Sequence, residues 1–145
     1  MAAAAAQADL VEVFKGERRM ELKHEGRTIG SYRVALGFAP QLHKEREGDG
    51  RTPEGDYTID GRNPRSAFHL SLRVSYPSER DRAHAASLGV PPSSDIYIHG
   101  QPNGLKLWIG HSGKDWTTGC VAVTDREMRE IWSLVPTGAR MVIHS

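Results

Sequence analysis

The sequence predicts a mainly β domain, antiparallel or mixed in strand direction, with two short helices. Short stretches in which apolar and polar residues alternate recur along most of the 145 residues, and turn residues separate them. Helix signals occur in only two places. Strands and helices do not alternate regularly, which argues against a doubly wound parallel sheet.

The first half of the chain contains the predicted hairpins. Residues 10–15 and 19–23 alternate on either side of a turn at Gly16, which predicts two paired strands. Glu25 and Gly26 form the next turn, and residues 28–36 continue as a third strand.

Charged residues and turn residues divide the middle of the chain. Residues 37–53 are polar and rich in charge, so we expect a long exposed loop, followed by a strand at residues 56–60. Residues 61–65 contain Gly, Asn and Pro. They predict a turn-rich link to a strand at residues 68–76.

Capping residues mark the two helices. Ser78 caps a helix that begins at Glu79 and stops at Gly89, while Thr124 and Glu127 form the capping box of the second helix. The other predicted strands lie at residues 95–99, 105–109 and 140–144, and residues 118–123 lead into the second helix.

Charge and hydropathy exclude two function classes. The formal net charge of +1 gives no electrostatic case for nucleic-acid binding, and no apolar stretch is long enough for a membrane span in this chain. Residues 6–8 have the small-x-small form of a signal-peptidase site. We therefore expect residues 1–8 to be a disordered signal-peptide remnant behind an added Met, and residues 9–145 to form a single periplasmic or extracellular domain.

Cys120 is the only cysteine, so it forms no disulfide within the chain. A lone thiol is a liability in an oxidising compartment, and catalysis is one reason to keep it. Gly119 lets the backbone turn sharply, and the N–H groups of Gly119 and Cys120 can then aim at one oxyanion, each worth about 3 kcal/mol in the transition state. The alternative is a structural cysteine in the core.

A catalytic thiol needs a base, because most of it is protonated at neutral pH. His99 ends an apolar strand and precedes Gly100, at the kind of position where a rigid scaffold presents catalytic side chains. His111 is the rival base, since it is closer to Cys120 in sequence. A zinc site of His99, His111 and Cys120 is a weaker alternative, because no CxxC, HxxxH or HExxH spacing is present.

Three segments point to a known family. Residues 98–100 read Ile-His-Gly, residues 115–124 read Asp-Trp-Thr-Thr-Gly-Cys-Val-Ala-Val-Thr, and residues 48–57 read Gly-Asp-Gly-Arg-Thr-Pro-Glu-Gly-Asp-Tyr. Together they resemble the L,D-transpeptidase (YkuD) catalytic domain family, in particular a subgroup with an Asp-Trp-Thr-x-Gly-Cys signature. The similarity extends from about residue 10 to residue 144.

The resemblance implies a mixed β-sandwich or barrel-like fold and a cofactor-independent enzyme that acts on peptidoglycan stem peptides. It implies that Cys120 attacks the L-centre carbonyl of diaminopimelate, releases D-alanine and forms a thioester, which an acceptor amine resolves. His99 then corresponds to the base, and the Gly100 carbonyl orients its imidazole. The backbone of Gly119 and Cys120, together with Thr118, corresponds to the oxyanion donors.

Two positions depart from the pattern of many family members. Thr118 stands where they have His, and Ala122 stands where they have Arg, which removes a positive charge beside the nucleophile. Two other functions therefore stay open. One is an L,D-carboxypeptidase or endopeptidase, in which water resolves the thioester, and the other is a non-catalytic wall-binding module. The sequence makes no prediction of oligomeric state.

Overall fold

The computed structural model describes residues 6–91, 96–103 and 115–145. Within these residues eight strands form one mixed sheet, in the order β3-β2-β1-β8-β4-β5-β6-β7. The strands are β1 (Leu10–Phe14), β2 (Arg19–His24), β3 (Arg27–Arg33), β4 (Gly55–Ser66), β5 (His69–Val74), β6 (Ile96–His99), β7 (Val121–Ala122) and β8 (Arg140–His144). The β1–β8 and β6–β7 pairs are parallel, and the others are antiparallel. The predicted mainly β fold is confirmed.

The sheet curls until its two ends meet. The chain that follows β3 forms a bridge with β7 at the opposite end of the strand order, where Ala35 and Ala122 exchange two backbone hydrogen bonds of 2.9 Å. The curl encloses an apolar core to which nearly every strand contributes. Its fully buried members include Val11, Leu22, Ile59, Leu72, Ile98, Val121 and Met141.

Both predicted helices are present and begin at the predicted caps. Helix α1 (Glu79–Ser87) has a capping box between Ser78 and Asp81, and helix α2 (Asp125–Leu134) has one between Thr124 and Glu127. A single 3-10 turn at Lys15–Glu17 joins β1 to β2. Helix α2 buries Met128 and Ile131 against the sheet, so its apolar face completes the core.

The turn-rich link predicted at residues 61–65 is wrong, because these residues belong to β4. Strand β4 pairs with β8 over residues 55–58 and with β5 from Ile59 onward. The register shifts between Ile59 and Gly61 and again between Asn63 and Ser66. Glycine and proline are tolerated inside strands at such irregularities, which bend a strand without ending it.

The exposed loop predicted at residues 37–53 is only partly exposed. Lys15 is buried, and its ammonium donates to the carbonyls of Leu42 at 2.8 Å and Thr52 at 2.7 Å, which holds the segment against the sheet. Lys44 and Thr52 are buried as well, whereas Phe38 and Leu42 project outward. Lys15 and Lys44 therefore hold this charged segment against the protein, although its composition alone predicts that it is exposed to solvent.

The remaining boundaries differ in smaller ways. Ala8 is buried and its N–H donates to the Leu134 carbonyl at 2.7 Å, so the packed part of the chain includes a residue that we expected to be disordered. The segment at residues 118–123 contains the short strand β7 after a bend at residues 118–119. The predicted strand at residues 105–109 and the rival base His111 lie outside the described residues.

Candidate functional site

The predicted base is the last residue of β6, and the predicted nucleophile lies just before the neighbouring parallel strand β7. Ile98 pairs with Val121 and His99 with Ala122, and Cys120 directly precedes β7. The N–H of Tyr97 donates to Cys120 Sγ at 3.4 Å. His99 and Cys120 both line one cleft of about 410 Å³. The other described residues of this cleft are Asn63, Ser66, Ala67, Phe68, Ser71, Tyr97, Trp116, Thr117 and Thr118.

The imidazole of His99 is buried and fixed in one tautomer. Its Nδ1 lies 2.7 Å from the carbonyl oxygen of Gly100, and a carbonyl only accepts, so Nδ1 carries the proton. Burial lowers the pKa of His99 by disfavouring the charged ring, and the hydrogen bond to Gly100 opposes this effect only in part. At neutral pH the ring is therefore neutral, and Nε2 has a lone pair that can accept a proton.

Two aromatic rings pack around that imidazole. Phe68 stacks on His99 with 4.4 Å between the ring centroids, and Trp116 lies 5.8 Å from His99 and 6.0 Å from Phe68. The sequence analysis assigned no role to either ring. Trp116 lies inside the signature segment, which was a usable signal. Phe68 comes from the β4–β5 connection, and the sequence predicted it only as the start of a strand.

The turn that carries Cys120 is held by one threonine hydroxyl. Thr117 Oγ1 donates to the Cys120 carbonyl at 2.7 Å and accepts from the Gly119 N–H at 3.1 Å. Gly119 has φ of 138°, in the region that favours glycine. The Gly119 N–H thus already has a partner, and it can serve an oxyanion only by exchanging Thr117 Oγ1 for it. Thr118 is exposed and lines the cleft.

Gly100 connects the base to helix α2. Its N–H donates to the Phe68 carbonyl at 2.9 Å, and the next N–H, of Gln101, donates to Asp125 Oδ1 at 2.8 Å. A β-carbon on Gly100 would lie 2.6 Å from the same Asp125 oxygen, so only glycine fits here. The capped start of α2 therefore helps to fix the peptide whose carbonyl orients His99.

Two other features, a metal-ion cluster and a helix able to span a membrane, are absent from the described residues. They contain no group of three or more His, Cys, Asp or Glu side chains arranged to hold a metal ion. They also include no helix that is both long and apolar enough to cross a membrane. The zinc alternative included His111, which lies outside them, so it is not tested.

Comparisons with known proteins agree with the predicted family and fold. The "Putative L,D-transpeptidase YafK" of Escherichia coli strain K12 is 27% identical over 135 residues, which is 89% of this chain and 47% of YafK. The chain thus spans about half the length of this curated relative.

Solved structures with the same fold include two of different origin. The helical cell shape determining protein Pgp2 from Campylobacter jejuni superposes with a TM-score of 0.70 at 18% identity, covering 97% of this chain and 48% of Pgp2. An L,D-transpeptidase from Mycobacterium smegmatis gives 0.62 at 13% identity, covering 95% of this chain and 59% of that one. At these identities the likeness shows the fold alone.

The family assignment comes from the sequence model of the YkuD family, which is described as the L,D-transpeptidase catalytic domain. This family model matches residues 8–143, nearly the whole chain and every described element of the cleft. The chain therefore belongs to the YkuD family of L,D-transpeptidase catalytic domains.

Proposed function

We propose that this domain is a peptidoglycan L,D-transpeptidase that works through a thioester on Cys120. The observation that supports the proposal is one cleft lined by both Cys120 and His99, in which the Nδ1 of His99 donates to the Gly100 carbonyl. The family assignment supports the substrate class, and it supports a periplasmic or extracellular location, where peptidoglycan is found.

The first half-reaction forms the acyl-enzyme. Nε2 of His99 accepts the thiol proton, and the thiolate of Cys120 attacks the L-centre carbonyl of diaminopimelate in a stem peptide. The bond to D-alanine breaks, and the amine of D-alanine leaves with the proton that His99 had taken. The products are free D-alanine and a thioester on Cys120, with neutral His99 restored.

The second half-reaction transfers the acyl group. An acceptor amine, such as a second diaminopimelate side chain, attacks the thioester while His99 accepts its proton. The C–S bond breaks, and the proton returns to the sulfur. In both steps negative charge develops on the carbonyl oxygen. We propose the N–H groups of Gly119 and Cys120 as its donors, with the Gly119 N–H exchanging Thr117 Oγ1 for the oxyanion.

The test is product analysis by mass spectrometry with a disaccharide-tetrapeptide as donor and acceptor. We expect free D-alanine and cross-linked dimer with the natural sequence, and neither product with Cys120→Ala. His99→Gln should lower the rate by about 10²–10⁴-fold, the usual contribution of a general base. His24→Gln, a histidine on β2 outside the cleft, is the matched control and should leave the rate unchanged.

Three results would overturn the proposal. Free D-alanine without dimer would indicate a hydrolase, in which water resolves the thioester. Binding to sacculi without products, together with no mass shift on Cys120 after incubation with a carbapenem, would indicate a wall-binding module. Unchanged activity in Cys120→Ala would reject the nucleophile itself.

A further inference from the structure

Lys44 is a buried lysine whose ammonium contacts the backbone of the turn that carries Cys120. Its side chain is 1% exposed, and Nζ donates to Asp49 Oδ1 at 2.9 Å and to the Thr118 carbonyl at 3.2 Å. A β-carbon built on Gly119 would lie 3.3 Å from the same Nζ. Lysine is almost never fully buried unless it is paired, and Asp49 is the partner that allows the burial here.

Asp49 holds the ammonium in place and is itself held by backbone. Its carboxylate accepts from the N–H groups of Glu45 at 2.9 Å, Arg46 at 3.1 Å and Arg51 at 3.0 Å. Burial alone would raise the pKa of Asp49, but these hydrogen bonds and the one from Lys44 outweigh it and lower the pKa. The carboxylate is therefore charged at neutral pH, and the ion pair is a fixed part of the loop.

The strand beside the turn carries no charged side chain next to His99. Ala122 is fully buried, and its backbone pairs with Ala35 on one side and His99 on the other. A charged side chain is thus absent from β7 at this point. Lys44 brings a positive charge to the same turn from the residue 37–53 segment instead.

We propose that Lys44 is a positioning residue that holds the Thr118–Cys120 turn through the Thr118 carbonyl and favours the thiolate of Cys120 by its charge, with Asp49 moderating that charge. A cation near a thiol stabilises the ionised form. An ammonium on the Thr118 carbonyl also polarises the Thr118–Gly119 peptide, which makes the Gly119 N–H a stronger donor. The inference rests on the proposed function only in taking Cys120 as the reacting group.

Other ionisable groups also surround this turn among the described residues. His99 and Tyr97 line the cleft from β6. Asp115 pairs with Arg18 at 2.9 Å, and Arg51 pairs with Glu45 at 2.7 Å. These groups are the same in every variant below, so differences between variants report on Lys44 and Asp49.

The experiment measures the rate of Cys120 alkylation by iodoacetamide against pH, using the full chain and intact-mass detection. The single cysteine gives one labelled site. With Lys44→Met we expect the midpoint to move to higher pH, with alkylation at pH 7 about three- to tenfold slower. With Asp49→Asn we expect the opposite shift, because the ammonium is no longer compensated. Lys44→Arg should restore the natural midpoint.

The opposite signs separate an electrostatic role from a purely structural one. A loosened turn would move both variants in the same direction, and that result would overturn the proposal, as would an unchanged midpoint in folded Lys44→Met. If Lys44→Met does not fold, the comparison of Lys44→Arg with Asp49→Asn decides, since only the second should shift. Alkylation needs no turnover, so its outcome is independent of whether the domain proves to be a transpeptidase.

Discussion

Three neighbours that are distant from one another in sequence set the tautomer, the ring environment and the backbone position of His99. Gly100 fixes its tautomer, Phe68 covers one face of its ring, and pairing with Ala122 fixes its backbone. Burial lowers the pKa of His99, so the ring is neutral at lower pH than an exposed histidine would be. A base must be neutral to accept a proton, so for the proposed base His99 we expect activity to be lost as pH falls through this lowered pKa.

Replacing Phe68 with Leu tests this cover. Solvent then reaches the imidazole, so we expect the pKa of His99 to return toward 6.5 and the acidic limb of kcat/KM to move to higher pH. Loss of the stacked contact should also lower kcat/KM at neutral pH roughly two- to tenfold, from the usual energy of an aromatic pair. The measurement is a pH–rate profile of D-alanine release.

Phe14→Leu is the matched control for that profile. Phe14 stacks on His144 with 5.1 Å between centroids, on β1 and β8 and outside the cleft, so its loss should leave the acidic limb in place. An acidic limb that does not move in Phe68→Leu would show that the stack does not set the protonation of His99.

The local sequence singled out the two residues that line the cleft, but it did not predict the residues that hold them in place. Glycine neighbours and a strand end are local signals that singled out Cys120 and His99, which line one cleft, and their catalytic roles stay predictions. Lys44 could not be predicted, because a lysine inside the charged run at residues 44–51 looks like a solvated residue. Only the fold shows that the Thr118 carbonyl lies within its reach.

The turn from Thr117 to Cys120 is an element held from two sides. On one side the N–H of Thr117 donates to the Leu36 carbonyl at 3.1 Å, and on the other Tyr97 donates to the sulfur. Inside the turn, Thr117 Oγ1 ties its own two ends together. This support fixes the sulfur although Cys120 itself lies outside the regular strand.

Gly119→Ala tests the turn as an element. A β-carbon would lie 2.7 Å from the Arg51 carbonyl oxygen, and φ of 138° is strained for any residue other than glycine. We expect a loss of about 2 kcal/mol or more in the free energy of unfolding, measured with urea, together with reduced activity.

Gly16→Ala serves as the comparison for that loss. Its β-carbon would lie at an ordinary 3.8 Å from the nearest atom, the Ser145 carbonyl oxygen, so its stability should change little. Equal stability of the two variants would mean that the turn relaxes freely and does not fix Cys120.

The longest strand shows where element prediction from sequence failed. Residues 61–65 have turn composition, but β4 continues through them because it changes partner from β8 to β5 and needs irregularities to bend. Glycine, asparagine and proline occur both in loops and in strand irregularities, and only pairing with neighbouring strands determines which of the two forms. The caps at Ser78 and Thr124 were predicted correctly, because a capping box is complete within four residues.

At the scale of the whole molecule, the curl of the sheet places the cleft where its ends meet. The bridge between Ala35 and Ala122 brings the chain after β3 beside β7. The residue 37–53 segment then contacts the turn that carries Cys120, through Lys44 and the Thr118 carbonyl. The stability of the fold and the position of Cys120 therefore depend on the same segment. A contact that holds the residue 37–53 segment should affect both the stability and the position of Cys120.

Asp81 is such a contact, because it joins α1, β4 and the residue 37–53 segment. It accepts from His43 Nε2 at 2.8 Å, Tyr57 OH at 2.9 Å and the Ser78 N–H at 2.9 Å. Burial raises the pKa of Asp81, but these hydrogen bonds outweigh it and hold the pKa at about 2. The folded-state value thus lies below the ordinary aspartate value near 3.9.

The sign of the resulting pH dependence follows from linkage. Because the folded pKa is depressed, the stabilisation from Asp81 is fully present above pH 4 and is lost as pH falls from about 4 through 2. Over this window the natural protein should lose about 2 kcal/mol more unfolding free energy than Asp81→Asn, whose amide does not titrate. Asp56→Asn, which removes a 66% exposed carboxylate, should keep the natural pH dependence. Urea unfolding at intervals between pH 5 and pH 2 measures the free energy of unfolding of all three proteins. If this free energy falls with pH equally in the natural protein and in Asp81→Asn, Asp81 does not couple the segment to the fold.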